Sequence, residues 1–77
     1  MAITKEQVLE NLKAYIGKRW TREDVINCCK DYYGEQFIYI WHCNAEYDYM
    51  VCAESDDSNQ FFIKDNSDGT MKEVWAE

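Results

Sequence analysis

Two periodicities divide the chain near residue 35. In the first part apolar side chains recur three and four residues apart, at Val8, Leu9, Leu12, Tyr15 and Ile16 and again at Val25, Ile26, Cys29, Tyr32 and Tyr33. That spacing lines one face of a helix. From Gln36 onward the apolar runs are short and rich in aromatic and branched residues: Phe37 to Cys43, Tyr47 to Ala53, Phe61 to Lys64 and Met71 to Trp75. These read as strands. Asn44-Ala45, Ser55-Asp56-Asp57-Ser58-Asn59 and Asn66-Ser67-Asp68-Gly69 supply the turns, and Asp-Gly in the last suits a tight hairpin.

The helical part is an internal repeat. Thr4-Lys5-Glu6-Gln7-Val8 aligns with Thr21-Arg22-Glu23-Asp24-Val25, Lys13 with Lys30, Tyr15 with Tyr32 and Gly17 with Gly34. In each copy the threonine is an N-cap, and Ile3 or Trp20 staples onto Val8 or Val25. Gln7 completes a capping box, whereas Asp24 is expected to favour the positive helix end. Gly17 and Gly34 are expected to end the helices in a left-handed conformation. Two copies are too few for a solenoid, so the pair must cover the strands that follow. The expected fold is α+β and spans residues 1–77 as one domain: an N-terminal αα-hairpin (1–34) packed on one face of a three- or four-stranded antiparallel β-meander (35–77).

With Asn44-Ala45-Glu46 as the first loop, Cys43 lies opposite Tyr47. Phe37, Tyr39 and Trp41 then share a face with Tyr49, Val51, Ala53, Phe61, Ile63 and Val74. Ile38, Ile40, His42, Met50, Cys52, Phe62, Met71 and Trp75 occupy the other. Both faces are apolar and two short helices cover one. The helices are expected over the Ile38 and Ile40 side, leaving Tyr39, Trp41, Tyr47 and Tyr49 outward. A one-residue slip in a turn reverses the faces of every strand beyond it.

Charge separates the two parts as well. Residues 1–35 carry six Lys/Arg and six Asp/Glu, and residues 36–77 carry two and nine, so the net charge of -7 belongs to the sheet half. Three Trp, six Tyr and three Phe in 77 residues argue for a folded chain. The N-terminus has no basic segment leading into an apolar run, and no apolar stretch nears the ~20 residues of a membrane span. The expectation is a soluble cytoplasmic protein with Cys28, Cys29, Cys43 and Cys52 as reduced, buried thiols.

Catalytic and metal chemistry find little support, and a Cys-based metal site stands only as a third reading of function. The cysteines and His42 include no Cys-x-x-Cys pair, and adjacent His42 and Cys43 point to opposite faces of one strand. Gly69 at the sixth position of a calcium loop would put Lys64 and Trp75 where carboxylates are needed. His42 is the single histidine, and no Gly-rich phosphate loop is present. No enzyme activity and no cofactor are expected. An aromatic sheet face resembles a stacking platform for single-stranded nucleic acid, but Lys64 and Lys72 are the only cations of the sheet half, too few for phosphate neutralisation. Direct nucleic-acid binding is therefore not expected.

The same electrostatics favour a basic protein partner, including one that handles nucleic acid. Tyr39, Trp41, Tyr47 and Tyr49 would anchor, while Asp48, Asp56 and Asp57 would meet basic side chains. In composition alone the chain is similar to small acidic inhibitors from phages and mobile elements that block restriction or CRISPR effectors, some by imitating nucleic-acid charge. A second reading is a structural domain forming a weak homodimer through its aromatic face, since a core this small leaves a narrow stability margin.

Overall fold

The structure, a computed structural model, describes residues 3–54 and 56–76, with the backbone alone for 56–58. The elements are α1 (Lys5–Lys13), α2 (Arg22–Tyr33), β1 (Ile38–His42), β2 (Tyr49–Ala53), β3 (Asp56–Asp65) and β4 (Met71–Ala76). The strands pair antiparallel in the order β1-β2-β3-β4, and the two helices pack on one face. This is the α+β meander expected from the sequence.

Both helices begin as the repeat requires. Gln7 N–H donates to Thr4 Oγ1 at 3.2 Å and Thr4 N–H to Gln7 Oε1 at 2.9 Å. Asp24 N–H donates to Thr21 Oγ1 at 3.2 Å and Thr21 N–H to Asp24 Oδ2 at 2.9 Å. Asp24 thus completes a second capping box, a role the sequence reading gave to Gln7 alone; its short carboxylate still reaches back to the cap N–H.

The helix ends differ. α2 stops at Gly34 with φ 73°, as expected, but α1 stops at Lys13 with Ala14 as its cap, before reaching Gly17. The cause is tertiary. Gly17 N–H donates to the Met71 carbonyl at 2.7 Å and Met71 N–H to the Lys18 carbonyl at 3.0 Å. The interhelical segment is thereby drawn along the outer edge of β4, satisfying backbone groups that an edge strand leaves open.

The core lies between the helices and one sheet face. Val8 and Leu12 of α1 and Val25, Cys29 and Tyr33 of α2 meet Ile38, Ile40, Val51, Ala53, Phe61, Ile63, Met71 and Val74. Phe61 is its largest fully buried side chain; the rings of Tyr32 and Tyr33 stand edge-on to it at 5.9 and 6.2 Å. The Tyr33 hydroxyl donates to the Asn59 carbonyl, tying the end of α2 to β3.

Register overturns the expected division of faces. The β1-β2 pairs are Ile38 with Ala53, Ile40 with Val51 and His42 with Tyr49, one residue away from a pairing of Cys43 with Tyr47. The connection between the strands is six residues, 43–48, closed by Cys43 N–H on the Asp48 carbonyl at 2.7 Å. Tyr49, Val51, Ala53, Phe61, Ile63 and Val74 therefore lie beneath the helices with Ile38 and Ile40, and Met50, Cys52, Phe62 and Trp75 join Tyr39 and Trp41 on the opposite face. The reversal follows from the period of two along a strand.

Ser55 lies outside the described residues, but Asp56–Asn59 belong to β3, with Asp56 opposite Ala53, instead of forming a turn. The pairing then jumps to Val51 with Phe61, an irregularity that gives β3 extra residues there. At 66–70 the expected hairpin forms: Gly69 N–H reaches the Asn66 carbonyl at 3.0 Å, Asn66 N–H the Thr70 carbonyl at 2.8 Å, and Gly69 has φ 89°. This is a type I turn closed by a left-handed glycine.

The two faces predict opposite responses to truncation. Tyr49→Ala removes a ring packed edge-on against Trp20 at 5.0 Å and should cost at least about 2 kcal/mol. Trp41→Ala, on the uncovered face, should stay within roughly 1 kcal/mol of the parent. Urea unfolding of both variants checks the assignment.

Candidate functional site: an uncovered aromatic sheet face

The face opposite the helices is built by every second residue of the four strands. Trp41 pairs with Met50, Met50 with Phe62 and Phe62 with Trp75, so one apolar row crosses the entire sheet. Along β1 a ladder of rings runs at right angles to that row: Phe37 to Tyr39 at 4.8 Å, and Tyr39 stacked on Trp41 at 5.6 Å. Tyr47 folds back from the 43–48 connection, 4.6 Å from Phe62 and 6.4 Å from Trp75, while Phe62 and Trp75 stack at 5.9 Å.

Burial is graded across this face. Cys52 and Phe62 are buried by their neighbours, Tyr39, Met50, Tyr47 and Trp75 are half-buried, and Phe37 and Trp41 are 63% and 53% exposed. The ladder on β1 is therefore its most open part. Lys64 and Glu73 pair across β3 and β4 at one margin, and Lys64 Nζ donates to the Glu46 carbonyl at 3.3 Å. Glu54, at the end of β2, borders Phe37 through a bond from its N–H to the Phe37 carbonyl at 2.9 Å.

Of the residues expected to meet a partner, Tyr39, Trp41 and Tyr47 stand together on this face. Tyr49 does not. It faces the helices, where Trp20 and the His42 ring at 5.3 Å surround it. Asp48 is half-buried at the strand connection, its Oδ2 accepting from Asp65 N–H at 2.7 Å. The side chains of Asp56 and Asp57 lie outside the described residues. Met50, Phe62 and Trp75 were missed as members of this face, although their alternation with Val51, Ile63 and Val74 shows in the sequence. What the sequence lacked was the length of the first connection.

Other chemistry is dispersed. Cys28 and Cys29 lie on α2, Cys52 in the sheet, and Cys43 in the connection with its thiol 3.6 Å from the Trp41 carbonyl. Among the described residues no three His, Cys, Asp or Glu side chains converge for a metal ion. None of their helices is long and apolar enough to cross a membrane. Burial, then the neighbouring Cys28, pushes the Cys29 thiol up to about 12, and burial followed by Asp24 raises Cys28.

Asp65 carries the most informative carboxylate. Trp20 Nε1 donates to its Oδ1 at 2.8 Å, which favours ionisation, but desolvation outweighs that bond and Asp48 adds repulsion, so its pKa is raised. In contrast the Thr70 hydroxyl and N–H, both donating to Asp68 Oδ1, hold Asp68 below the ordinary range.

The fold and face define a class: a small α+β domain with one sheet face under a helix pair and the other an open aromatic surface. No protein-family model, no curated protein and no solved structure matches the chain.

Since only a thiolate reacts readily, alkylation at pH 8 should modify Cys43 first and leave Cys29 unmodified until the protein unfolds, which peptide mapping of a time course reveals. A raised folded-state pKa means that the stability linked to Asp65 is present in full below the ordinary carboxylate range and lost as pH rises through the raised value. Asp65→Asn, which keeps an acceptor for Trp20, should therefore be more stable than the parent at pH 7, with the difference vanishing towards pH 3 in urea titrations.

Proposed function

We propose that this protein is a non-enzymatic binding module that docks its uncovered aromatic face on a basic surface of another protein. The observation that carries this reading is the row Trp41-Met50-Phe62-Trp75, an apolar band crossing all four strands with Tyr39 and Tyr47 beside it. Large aromatic residues with one face exposed are what interface hot spots are made of. A protein of this size ordinarily exposes scattered apolar side chains, whereas a contiguous patch signals an interaction surface.

The chemistry of the partner follows from charge. The sheet half carries nine carboxylates and two lysines, so a surface rich in Lys and Arg is attracted over a distance and then anchored by the rings. A nucleic-acid-handling effector has such a surface by necessity, since it must neutralise phosphates. Occupying that surface would block it stoichiometrically, in the manner of a phage or mobile-element inhibitor of restriction or CRISPR effectors.

The test begins with capture from the native host at low and high salt, followed by affinity measurements on the purified partner. Trp41→Ala should weaken binding by about thirtyfold, equivalent to ~2 kcal/mol, without loss of fold. Asp56→Lys with Asp57→Lys should slow association and flatten its salt dependence. Unchanged affinity in both variants would place the interface elsewhere, and a captured partner without a basic surface would remove the electrostatic half of the reading.

A further inference from the structure

A cavity at the outer edge of β1 joins a held cation to apolar walls. It measures 220 Å³ and is bounded by Arg22 and Ile26 of α2 and by residues 37–41. Arg22 and Ile26 stand one turn apart on a single side of that helix. Among the described residues that line the cavity, Arg22 alone is charged. The rest of the wall is Ile38, Ile40 and the Phe37-Tyr39-Trp41 ladder, whose two end members are exposed rings.

The donors at this site are oriented. Arg22 Nη1 donates to the Ile40 carbonyl at 2.9 Å. A guanidinium carries five N–H groups in one plane, so a bond from one of them sets that plane and leaves others for a second acceptor. The backbone adds a further donor. Glu54 N–H bonds to the Phe37 carbonyl and Cys43 N–H to the Asp48 carbonyl, so the odd-numbered residues of β1 exchange bonds with β2. By antiparallel alternation the carbonyl and the N–H of Ile40 both point to the outer edge. Arg22 takes the carbonyl, and the N–H stands beside it.

These features select a ligand. An oriented guanidinium next to a backbone N–H is a receptor for a planar pair of anionic oxygens. One cation balances one negative charge, which on a chain of net charge -7 favours a carboxylate over a phosphoryl dianion. The apolar wall requires an apolar body, and its three aromatic residues favour a ring. Size follows from volume, since 220 Å³ is below the ~300 Å³ at which drug-sized pockets begin. A peptide strand is disfavoured, because the carbonyl it would bond at the centre of β1 is already occupied by Arg22.

We infer that this cavity binds a small aromatic carboxylic acid, its carboxylate held by Arg22 and the Ile40 N–H and its ring against Ile26 and Phe37. The site stands at the strand edge and is independent of the docking function proposed above, which rests on the row across the face.

Phenylacetate is the probe, titrated into the full chain and followed by two-dimensional proton–nitrogen NMR. Saturable shifts should appear at the Arg22 Nε–H and the Ile40 amide, with a dissociation constant of about 0.1–1 mM for a ligand of about ten non-hydrogen atoms. Phenylacetamide keeps the ring and the shape but not the charge, and should bind at least about tenfold more weakly. Arg22→Gln should cause a similar loss, and Phe37→Ala about a threefold one. Trp75→Ala, at the far edge of the sheet, should leave binding unchanged. Circular dichroism verifies each fold; should Arg22→Gln fail to fold, the acid against the amide on the parent protein decides. The absence of a saturable shift up to about 20 mM, far above that dissociation constant, overturns the inference. Equal binding of acid and amide, or shifts centred on Phe62 and Trp75, overturn it as well. So does tighter binding of acetylglycylphenylalanine, which would make a peptide terminus the ligand.

Discussion

Asp48 holds the register on which the arrangement of this sheet depends. Its carbonyl takes the Cys43 N–H, its own N–H donates to the Ile63 carbonyl, and its carboxylate takes the Asp65 N–H. One residue thus closes the first connection on itself and ties it to β3. With Asp48 bound in this way Tyr49 falls opposite His42, and every residue beyond is assigned to its face by alternation. Tyr49 then meets Trp20, whose indole N–H is bonded to Asp65, so the end of the sheet and the start of α2 are fastened at one place.

The raised pKa of Asp65 is a consequence of that fastening. Two carboxylates are brought close and partly desolvated because their backbone and side-chain bonds hold the connection shut. Such a cluster resembles a titrating site, yet each of its bonds goes to the protein's own backbone or indole. Its effect is on stability, through pH linkage, and it lies away from the open face. These polar groups position the sheet, and the face left uncovered is apolar and aromatic.

The open face follows from a mismatch of sizes. Two helices of 9 and 12 residues cover one side of a four-stranded sheet, and they select the side where Val51, Phe61, Ile63 and Val74 fill the space beneath them. The other side keeps the rings that pack among themselves. Cys52 and Phe62 gain burial from their neighbours without any helix above, while Phe37 and Trp41, at the margin, gain little. That gradient makes the face a continuous platform whose most exposed part lies along β1.

Local pattern was enough to reveal the helix pair, both threonine caps, a meander of three or four strands and the 66–70 hairpin, because each depends on residues a few positions apart. It also showed that the sheet has two apolar faces and that Tyr39 and Trp41 share one with the helices on the other side. The length of the 43–48 connection was not legible there: its register is decided by bonds from Asp48 to Ile63 and Asp65 and by the contact of Tyr49 with Trp20, all remote in sequence. For the same reason α1 ends before Gly17, since the segment after it is captured by Met71. Alternation along β2, β3 and β4 was written in the chain, but which of their sides met the helices was decided only when distant backbone groups found one another.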